Sequence, residues 1–442
     1  MSANYPLTPL AHPLHASVRV PGSKSLTNRA LLLAALADGP TTFENALFSD
    51  DSARFADSLV RLGFAVHLEE SAASMTVHGL GGRIPNAQAQ LFVGNAGTAA
   101  RFLTAMLTLG HGEYVLDGDA RMRQRPIGDL VDALRQLGAI VEALVQPSAA
   151  GGGQAICPPL RIRAGGLPGG SAEIAGNISS QYLSGLLMIA PYAQTRVELS
   201  VVGGLNSKPY VDMTLAIMAD FGVNVRRSGY ERFAVDAQRY RAPGSYTIES
   251  DASAASYFFA APAVCGGVLR VENITRNAKQ GDVAFLDILA AMGCTVTDGD
   301  TWIEVSGPGR TAGAPALRGI DVDMRDIPDM AQTLAAIAPF AGTATTIRGI
   351  ESARLKETDR VSAMCTELTR LGVSVVERRD GLTIQPCRTF RPATIKTYND
   401  HRMAMAFALI GLRTPGVTIA DPGCVAKTFP NYFEVLESLR NR

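Results

Sequence analysis

A lysine lies between two serines where an extended run gives way to an apolar helix. Residues 20–39 read VPGSKSLTNRALLLAALADG, with Lys24 just before a helical pattern that Ser25 or Thr27 could cap. A helix N-terminus presents backbone N–H groups and the positive end of its dipole, and here an ammonium group accompanies them. This combination predicts a binding site for an anion.

A nucleotide polyphosphate is not the predicted anion. A Walker loop has a glycine, four residues and then Gly-Lys-Ser/Thr. In this chain Ser23 separates Gly22 from Lys24, and no second glycine lies upstream. The backbone cradle for a polyphosphate is therefore missing, and we expect neither ATP nor GTP as the ligand.

The composition is that of a globular protein with room for two domains. The 442 residues are 47% hydrophobic and 19% charged, with a net charge of +0, which argues against a nucleic-acid partner. No apolar run is long enough to span a membrane, and the first residues lack the pattern of a signal peptide, so we expect a cytoplasmic protein. Six cysteines without C-x-x-C spacing predict reduced, buried thiols, and the six scattered histidines predict no metal site.

An internal repeat sets the predicted architecture. Apolar helices rich in small residues recur at intervals of about 75 residues, each followed by a strand and a more polar helix. The predicted starts of the apolar helices lie near Ser25, Thr98, Ser180, Ser253, Asp329 and Asp400. The second helices of the first five copies end before Gly63, Gly138, Gly222, Gly293 and Gly372. Glycine at such a place allows a left-handed backbone.

The repeat predicts an α/β protein of six units. The first helix of each unit is apolar nearly all round, which predicts burial on all sides. Six units can divide into two lobes of three, and we expect an active site between the lobes, where small-molecule sites tend to form.

Cations and small polar residues gather at the predicted helix starts and in the adjoining loops. The cations are Lys24, Arg29, Arg125, Lys356, Arg360, Arg402 and Lys427. The small and polar residues are Gly97 in NAGTA, Ser179, Ser180 and Gln181 in SSQY, and Ser207 in SKPY. Two carboxylates, Asp323 and Glu357, accompany them. Because arginine suits bidentate binding of carboxylate or phosphate and lysine offers a point charge, the set predicts two small, multiply anionic ligands.

Nine motifs resemble those of the enolpyruvylshikimate-phosphate synthase family of the shikimate pathway. In chain order they are PGSKSLTNRALLLAALADG, GNAGTAARFL, RMRQRPIGDLVDAL, SSQYLSGLLM, SKPYVDMT, DMRDIPD, LKETDR, YNDHRMAM and AKTFPNYF. The resemblance implies a two-domain, inside-out α/β barrel fold with six βαβαββ units, arranged three plus three around buried parallel helices. One domain would span 22–247, and the other would combine 1–21 with 248–442.

The resemblance also implies a reaction. The carboxyvinyl group of phosphoenolpyruvate would be transferred to the 5-hydroxyl of shikimate 3-phosphate, with release of phosphate, in chorismate and aromatic amino acid biosynthesis. No metal or organic cofactor is implied, a monomer is expected, and the family is the target of glyphosate.

Residue roles follow from the same resemblance. Shikimate 3-phosphate would be bound by Ser25, Arg29, Ser179, Ser180, Ser207, Asp323, Ser352 and Lys356. Phosphoenolpyruvate would be bound by Gly97, Arg125, Arg360, Arg402 and Lys427, while Lys24 and Gln181 would contact both substrates. Asp323 would accept the proton of the 5-hydroxyl and Glu357 would protonate the vinyl methylene, with Lys24 assisting catalysis.

Two positions depart from the family pattern. Phe102 stands where many members have proline, so the helix after NAGTA is expected to be set differently. Ser352 stands where members often have an asparagine that contacts the shikimate, which leaves that contact open.

Three other functions are compatible with parts of the sequence. The UDP-N-acetylglucosamine enolpyruvyl transferases share the fold and the chemistry, but use a cysteine acid in a loop that here reads DGDARMRQRPIG and contains no cysteine. A non-catalytic anion-binding module or a structural solenoid would not need both Asp323 and Glu357 beside the cations.

Overall fold

The computed structural model of the protein describes residues 4–145, 155–308 and 317–440, which divide into two compact units. The continuous unit is Gly22–Glu249, and the split unit combines Met1–Pro21 with Ser250–Arg442. In the continuous unit the helices are α1 (Lys24–Leu36), α2 (Asp50–Arg61), α3 (Gly97–Leu107), α4 (Gly128–Gln136), α5 (Ser180–Ile189) and α6 (Lys208–Asp220). In the split unit they are α7 (Ala252–Cys265), α8 (Phe285–Ala291), α9 (Ala331–Ile337), α10 (Arg360–Arg370), α11 (His401–Gly411) and α12 (Tyr432–Ser438).

The described residues of the continuous unit form three four-stranded sheets of the same topology. Listed in spatial order, the first is Gly244–Thr247, Asp38–Glu44, Ser74–Leu80 and Ala65–Glu69; the second is Gln88–Phe92, His111–Asp117, Leu160–Gly165 and Ile140–Ala143; the third is Gly170–Ala175, Val197–Val202, Arg232–Val235 and Arg226–Ser228. In each sheet the first two strands are parallel and the others pair antiparallel. A buried helix connects the parallel pair of the second and third sheets, which makes each a βαβ crossover followed by a second helix and a hairpin.

The split unit repeats this topology with one variation. Its sheets are, in spatial order, Leu14–Val18, Gly267–Val271, Ile303–Ser306 and Thr295–Asp298; Asp321–Asp323, Thr345–Arg348, Gly381–Ile384 and Val375–Arg378; and Ala393–Ile395, Val417–Ile419 and Tyr5–Pro6. In the last sheet the strand Tyr5–Pro6 pairs antiparallel with Val417–Ile419, at the position where the other sheets have a hairpin. The predicted α/β class, with mixed sheets and helices, is confirmed.

Apolar composition on all sides explains why one helix of each pair lies inside its unit. Every residue of α3, α9 and α11 is buried, and so is all of α1 from Leu26 to Leu36. Helix α3 contacts α1 and α5 in the continuous unit, and α7, α9 and α11 contact one another in the split unit. Helices such as α2 and α10 instead bury one face and expose the other, as their charged residues require.

The five glycines predicted after the second helices all have a left-handed backbone. Their φ angles are +93° at Gly63, +92° at Gly138, +84° at Gly222, +110° at Gly293 and +87° at Gly372. Residues with a Cβ rarely adopt such angles, so this part of the sequence prediction is confirmed.

Replacing Gly222 by alanine is expected to lower the free energy of unfolding by about 1 kcal/mol. The added Cβ would lie 3.5 Å from the nearest atom of Arg241, an ordinary contact, so the cost comes from the φ of +84° alone. Gly423→Ala is the matched control, because its Cβ would enter open space on a backbone that is not left-handed. Urea unfolding of both variants measures the difference, and equal stabilities would contradict the expectation.

Two local expectations need correction. The side chain that caps α1 is Ser23, which accepts from the backbone N–H of Leu26, whereas Ser25 and Thr27 lie inside the helix. All six cysteines are free thiols, but Cys387 and Cys424 are only partly buried. In the part of the chain that the structure describes, no helix has both the length and the apolar character needed to cross a membrane.

Candidate active site

Arg29 brings together four helices of the continuous unit within two turns of their N-termini. From α1, its Nε donates to Thr214 Oγ1 of α6 at 2.8 Å, and its Nη2 donates to Ser184 Oγ of α5 at 3.4 Å. Its guanidinium lies 5.2 Å from the centre of the Phe102 ring in α3. The first turns of these helices carry unpaired N–H groups and partial positive charge, which favours an anion near them.

The guanidinium of Arg29 is buried among neutral groups. Its remaining donors reach the carbonyl oxygens of Ser25, at 2.9 Å, and Tyr210, at 3.2 Å. Burial lowers the pKa of Arg29 to about 10. Among the described residues no carboxylate lies within 4.0 Å of this guanidinium. A buried cation without a carboxylate is costly, so an anionic ligand would compensate a charge that the protein leaves unbalanced.

Lys24 and the predicted serines lie at three of the helix N-termini. Lys24 is the first residue of α1, and its Nζ is 3.6 Å from Asp51 Oδ2 in the first turn of α2. Ser179 caps α5 by accepting from the backbone N–H of Gln181 at 3.3 Å, and Ser180 is the first residue of that helix. Ser207 precedes α6 with a φ of +56°, an uncommon conformation for a residue with a Cβ.

Gly97 lies directly against Arg125. A Cβ added at Gly97 would be only 2.5 Å from Arg125 Nη2, so the space beside the first turn of α3 is filled by the guanidinium. Arg125 Nη1 donates to the carbonyl oxygen of Asn95 at 3.1 Å and to its side-chain oxygen at 2.9 Å. The loop that carries Arg125 is fixed by two hydrogen bonds, because Arg101 Nη2 and the hydroxyl of Tyr182 both donate to the carbonyl oxygen of the next residue, Pro126.

Gln181 connects the two helix starts that carry these groups. Its Nε2 donates to Thr98 Oγ1 at 3.4 Å, which joins the first turn of α5 to the first turn of α3. The structure therefore brings Gly97, Arg125 and Gln181 into one neighbourhood of the continuous unit.

Phe102 does not interrupt its helix. Helix α3 runs without a break from Gly97 to Leu107, and the Phe102 side chain is fully buried under the Arg29 guanidinium. A cation over an aromatic face is favourable when both are shielded from water. The departure from proline at this position therefore gives Arg29 an aromatic contact.

Arg360 is the centre of a buried ion-pair network in the split unit. Its Nε and Nη2 donate to the two oxygens of Asp400 at 2.7 and 3.3 Å, and its Nη1 donates to Asp329 Oδ1 at 2.9 Å. Its Nη2 also donates to Glu357 Oε2 at 2.9 Å. These contacts fix the plane of the guanidinium, because its N–H groups have a rigid fork geometry.

Arg402 joins the same network from α11. Its Nη2 donates to Asp329 Oδ2 at 2.9 Å and to Ser253 Oγ at 3.3 Å, and its Nη1 contacts the hydroxyl of Tyr257 at 3.4 Å. Burial raises the pKa of Tyr257 to about 12, against the opposing charge of Arg402. Asp329 thus bridges the two arginines, one oxygen to each.

Glu357 lies between two of the predicted cations. It is buried, and in addition to Arg360 its Oε1 lies 3.9 Å from Lys427 Nζ. The structure therefore places Glu357, Arg360, Arg402 and Lys427 in one neighbourhood of the split unit.

Asp323 is placed at a sheet edge and paired with a neighbour. It ends the strand Asp321–Asp323, and its oxygens accept from the backbone N–H of Arg325 at 3.0 Å and from Arg325 Nε at 2.9 Å. Partial burial raises its pKa, but these hydrogen bonds and the Arg325 charge outweigh it and hold the pKa of Asp323 below its usual value. Its hydrogen bonds and ion pair are all with Arg325, and none is with Arg360 or Glu357.

Ser352 and Lys356 lie on the segment that leads to Glu357. Ser352 is in the short 3-10 helix Glu351–Leu355, and Lys356 follows it. Arg354 anchors this segment, because its Nη1 donates to Asp359 at 2.9 Å and to Glu377 at 2.7 Å.

Sequence reasoning missed the carboxylates that hold the arginines. Asp329 and Asp400 were recognised only as helix starts, and Asp282, which accepts from Ser253, was not recognised at all. A partial signal was present for Arg402, since a buried arginine in an apolar helix often has a paired charge.

Comparisons of the sequence and of the fold with known proteins all match the same family of enzymes. The family model that matches residues 10–436 is described as EPSP synthase (3-phosphoshikimate 1-carboxyvinyltransferase). A 3-phosphoshikimate 1-carboxyvinyltransferase of Trichormus variabilis is 52% identical over 425 residues, which are 96% of each chain. One of Proteus mirabilis is 48% identical over 98% of each chain. The solved EPSP synthase of Acinetobacter baumannii has the same fold, with a TM-score of 0.77 at 24% identity over 99% of this chain and 98% of that one.

Proposed function

Because this chain belongs to the EPSP synthase family, we propose that residues from both its units bind the two substrates of that family's reaction. The enzyme transfers the carboxyvinyl group of phosphoenolpyruvate to the 5-hydroxyl of shikimate 3-phosphate and releases phosphate, within aromatic amino acid biosynthesis. What remains to be tested is the assignment of residues to each substrate.

The buried Arg29 supports a shikimate 3-phosphate site at the helix starts of the continuous unit. Its charge has no carboxylate partner in the described chain, and helix N-termini with hydroxyl groups suit a phosphate. We assign to this substrate Lys24, Ser25, Arg29, Ser179, Ser180, Gln181 and Ser207 of the continuous unit, with Asp323, Ser352 and Lys356 of the split unit. Arg29 acts chiefly through its charge and through Ser25, whose carbonyl oxygen it holds.

Phosphoenolpyruvate is assigned to the oriented cations. Arg360 and Arg402 are held by Asp329 and Asp400, so their planar groups are preorganised for a carboxylate or phosphate. The full proposed set is Lys24, Gly97, Arg125, Gln181, Arg360, Arg402 and Lys427. Because residue 97 is glycine, the Arg125 guanidinium can stay in its place and bind the substrate, whereas any side chain there would displace it.

Glu357 and Asp323 divide the proton transfers in this proposal. Glu357 protonates the methylene carbon of phosphoenolpyruvate, which makes its C2 electrophilic, and Asp323 takes the proton of the 5-hydroxyl as that oxygen adds to C2. The tetrahedral intermediate then returns one methyl proton to the Glu357 carboxylate and loses phosphate, which takes up the proton held by Asp323, and the vinyl group is restored. In this proposal Glu357 donates its proton beside Arg360 and Lys427, the same cations that bind the anionic substrate.

At the level of architecture, each unit is proposed to be one lobe of an inside-out α/β barrel. The proposed lobes are 22–247 and 1–21 with 248–442, each with three βαβαββ units, and the second boundary between them lies two residues before that between the units. Support comes from the complete burial of helices such as α3 and α11 and from the repeated sheet topology. We propose that the protein acts as a monomer, because one chain contains both sets of cations. We also propose that it acts in the cytoplasm, where its phosphorylated substrates are retained.

Release of phosphate tests the reaction. With phosphoenolpyruvate and shikimate 3-phosphate together, the enzyme is expected to release inorganic phosphate, and each substrate alone should give none. UDP-N-acetylglucosamine is the matched alternative acceptor. Release with that acceptor, or without any acceptor, would contradict the assigned reaction.

Glyphosate is expected to inhibit the enzyme competitively with phosphoenolpyruvate, and Gly97→Ala should weaken that inhibition by roughly tenfold or more. The new methyl would force the Arg125 guanidinium to move, and glyphosate, as the longer molecule, should lose more affinity than the substrate. The KM for phosphoenolpyruvate should also rise. Initial rates at several concentrations of both compounds measure these effects.

Gly165→Ala is the control for this prediction. Its Cβ would meet no atom within 4 Å, so its inhibition should match that of the unmodified enzyme. Resistance of the unmodified enzyme to millimolar glyphosate, or unchanged affinities in Gly97→Ala, would place Gly97 outside the phosphoenolpyruvate site.

A further inference from the structure

A buried carboxyl group that the proposed reaction does not use lies next to Arg402. Asp282 is in the short 3-10 helix Gly281–Ala284 and is 5% exposed. The hydroxyl of Ser253 donates to Asp282 Oδ2, and the same oxygen of Ser253 accepts from Arg402 Nη2 at 3.3 Å. The hydroxyl therefore links the carboxyl group to the guanidinium.

The charges around Asp282 come from three neighbouring elements. Asp251 caps α7, Asp329 precedes α9, and Arg402 is the second residue of α11 and is bonded to Asp329. Behind them Arg360 is bonded to Asp329, Asp400 and Glu357. On α8, Asp287 is exposed and paired with Arg276.

These surroundings allow the charge of the Asp282 carboxyl group to change near neutral pH. Burial, and then the negative charge of Asp329, raise the pKa of Asp282 to about 6, while Ser253 and Arg402 oppose this. Above that pH Asp282 is ionised and offsets part of the Arg402 charge, and below it the group is neutral.

We propose that Asp282 is a positioning residue that, through Ser253, controls how much positive charge Arg402 offers to phosphoenolpyruvate. The proposal rests on the proposed role of Arg402 in binding that substrate. Two negative groups beside one guanidinium, the bound anion and the Asp282 carboxylate, repel each other. The bound anion therefore favours protonated Asp282 and, reciprocally, protonated Asp282 favours binding of the anion. The affinity for phosphoenolpyruvate therefore falls as the pH rises through the titration of Asp282.

Asp282→Asn separates the charge from the hydrogen bond. The amide oxygen can still accept from Ser253, so the variant represents the neutral form of Asp282 at every pH. Near pH 5 its KM for phosphoenolpyruvate should equal that of the unmodified enzyme. Near pH 8 its KM should be about threefold to tenfold lower. A tenfold change corresponds to a shift of one unit in the pKa of Asp282 when the substrate binds. The ratio of the two enzymes' KM values at each pH cancels the effect of the ionisation of the substrate itself. The KM for shikimate 3-phosphate should not change.

Asp287→Asn is the matched control, since it removes an exposed carboxylate from the adjacent helix. Its KM should follow that of the unmodified enzyme at all pH values. A pH-independent ratio for Asp282→Asn, or the same ratio in both variants, would overturn the proposal. Phosphate release by the unmodified enzyme, measured first, reports separately on the proposed function.

Ser253→Ala provides a second test that keeps Asp282 in place. Arg402 Nη2 loses the hydroxyl that links it to the Asp282 carboxylate, so the KM for phosphoenolpyruvate near pH 8 should fall severalfold, toward that of Asp282→Asn. An unchanged KM in a folded Ser253→Ala variant would likewise overturn the proposal.

Discussion

Glu357→Gln is expected to lower turnover by roughly 100-fold or more, the scale of general acid catalysis. The amide keeps the shape of the side chain and can still accept from Arg360, but it cannot protonate the methylene carbon. The loss should therefore appear in kcat, with a smaller change in the KM of either substrate. Steady-state phosphate release measures both constants.

Glu351→Gln is the matched control for this variant. Glu351 is on the same segment, but it is exposed and paired with Arg379 at 2.7 Å, so its neutralisation should leave kcat unchanged. Near-normal turnover in Glu357→Gln, with circular dichroism like that of the unmodified protein, would remove the acid role from Glu357.

Asp323→Asn is expected to reduce turnover by about 100-fold, since it removes the proposed base. The hydrogen bonds from Arg325 outweigh the effect of burial and hold the pKa of Asp323 below its usual value, so the carboxylate is ionised throughout the neutral range. In the unmodified enzyme, protonation of Asp323 should therefore lower kcat only in acid solution, below the ordinary range for aspartate.

Asp321→Asn tests whether any charge change on this strand has the same effect. Asp321 lies two residues away, is exposed, and pairs with Arg348 at 2.7 Å. Its variant should keep normal turnover. Equal losses in the two variants would indicate a structural role for the strand, and retained turnover in Asp323→Asn would exclude Asp323 as the base.

Features that depend on a few neighbouring residues could be predicted from the sequence. The glycines after the second helices, such as Gly222, follow from the left-handed turn that ends a helix. Burial of α3 and α11 follows from their apolar composition on every side. The grouping of Glu357 with Arg360 is equally local, because Glu357 lies only three residues before Arg360, the first residue of α10.

Features that depend on distant parts of the chain were not visible in the sequence. Arg360 is paired with Asp400, forty residues away, and with Asp329, thirty-one residues away. Arg29 was expected to contact a ligand directly, yet most of its donors reach α5 and α6. Such contacts depend on how the helices pack, and spacing along the chain does not determine that. Even the α1 cap was misplaced by two residues, because Ser23, Ser25 and Thr27 all have capping side chains.

Transfer of hydrogen at the methylene carbon tests the central claim most directly. When the reaction is run in deuterium oxide, protonation by Glu357 should place deuterium on this carbon, and loss of one methyl hydrogen should leave deuterium in the vinyl group of the product. Proton NMR of the product should therefore show diminished vinyl signals, in step with phosphate release. Full vinyl signals at complete turnover would contradict protonation at the methylene carbon, and with it the role assigned to Glu357.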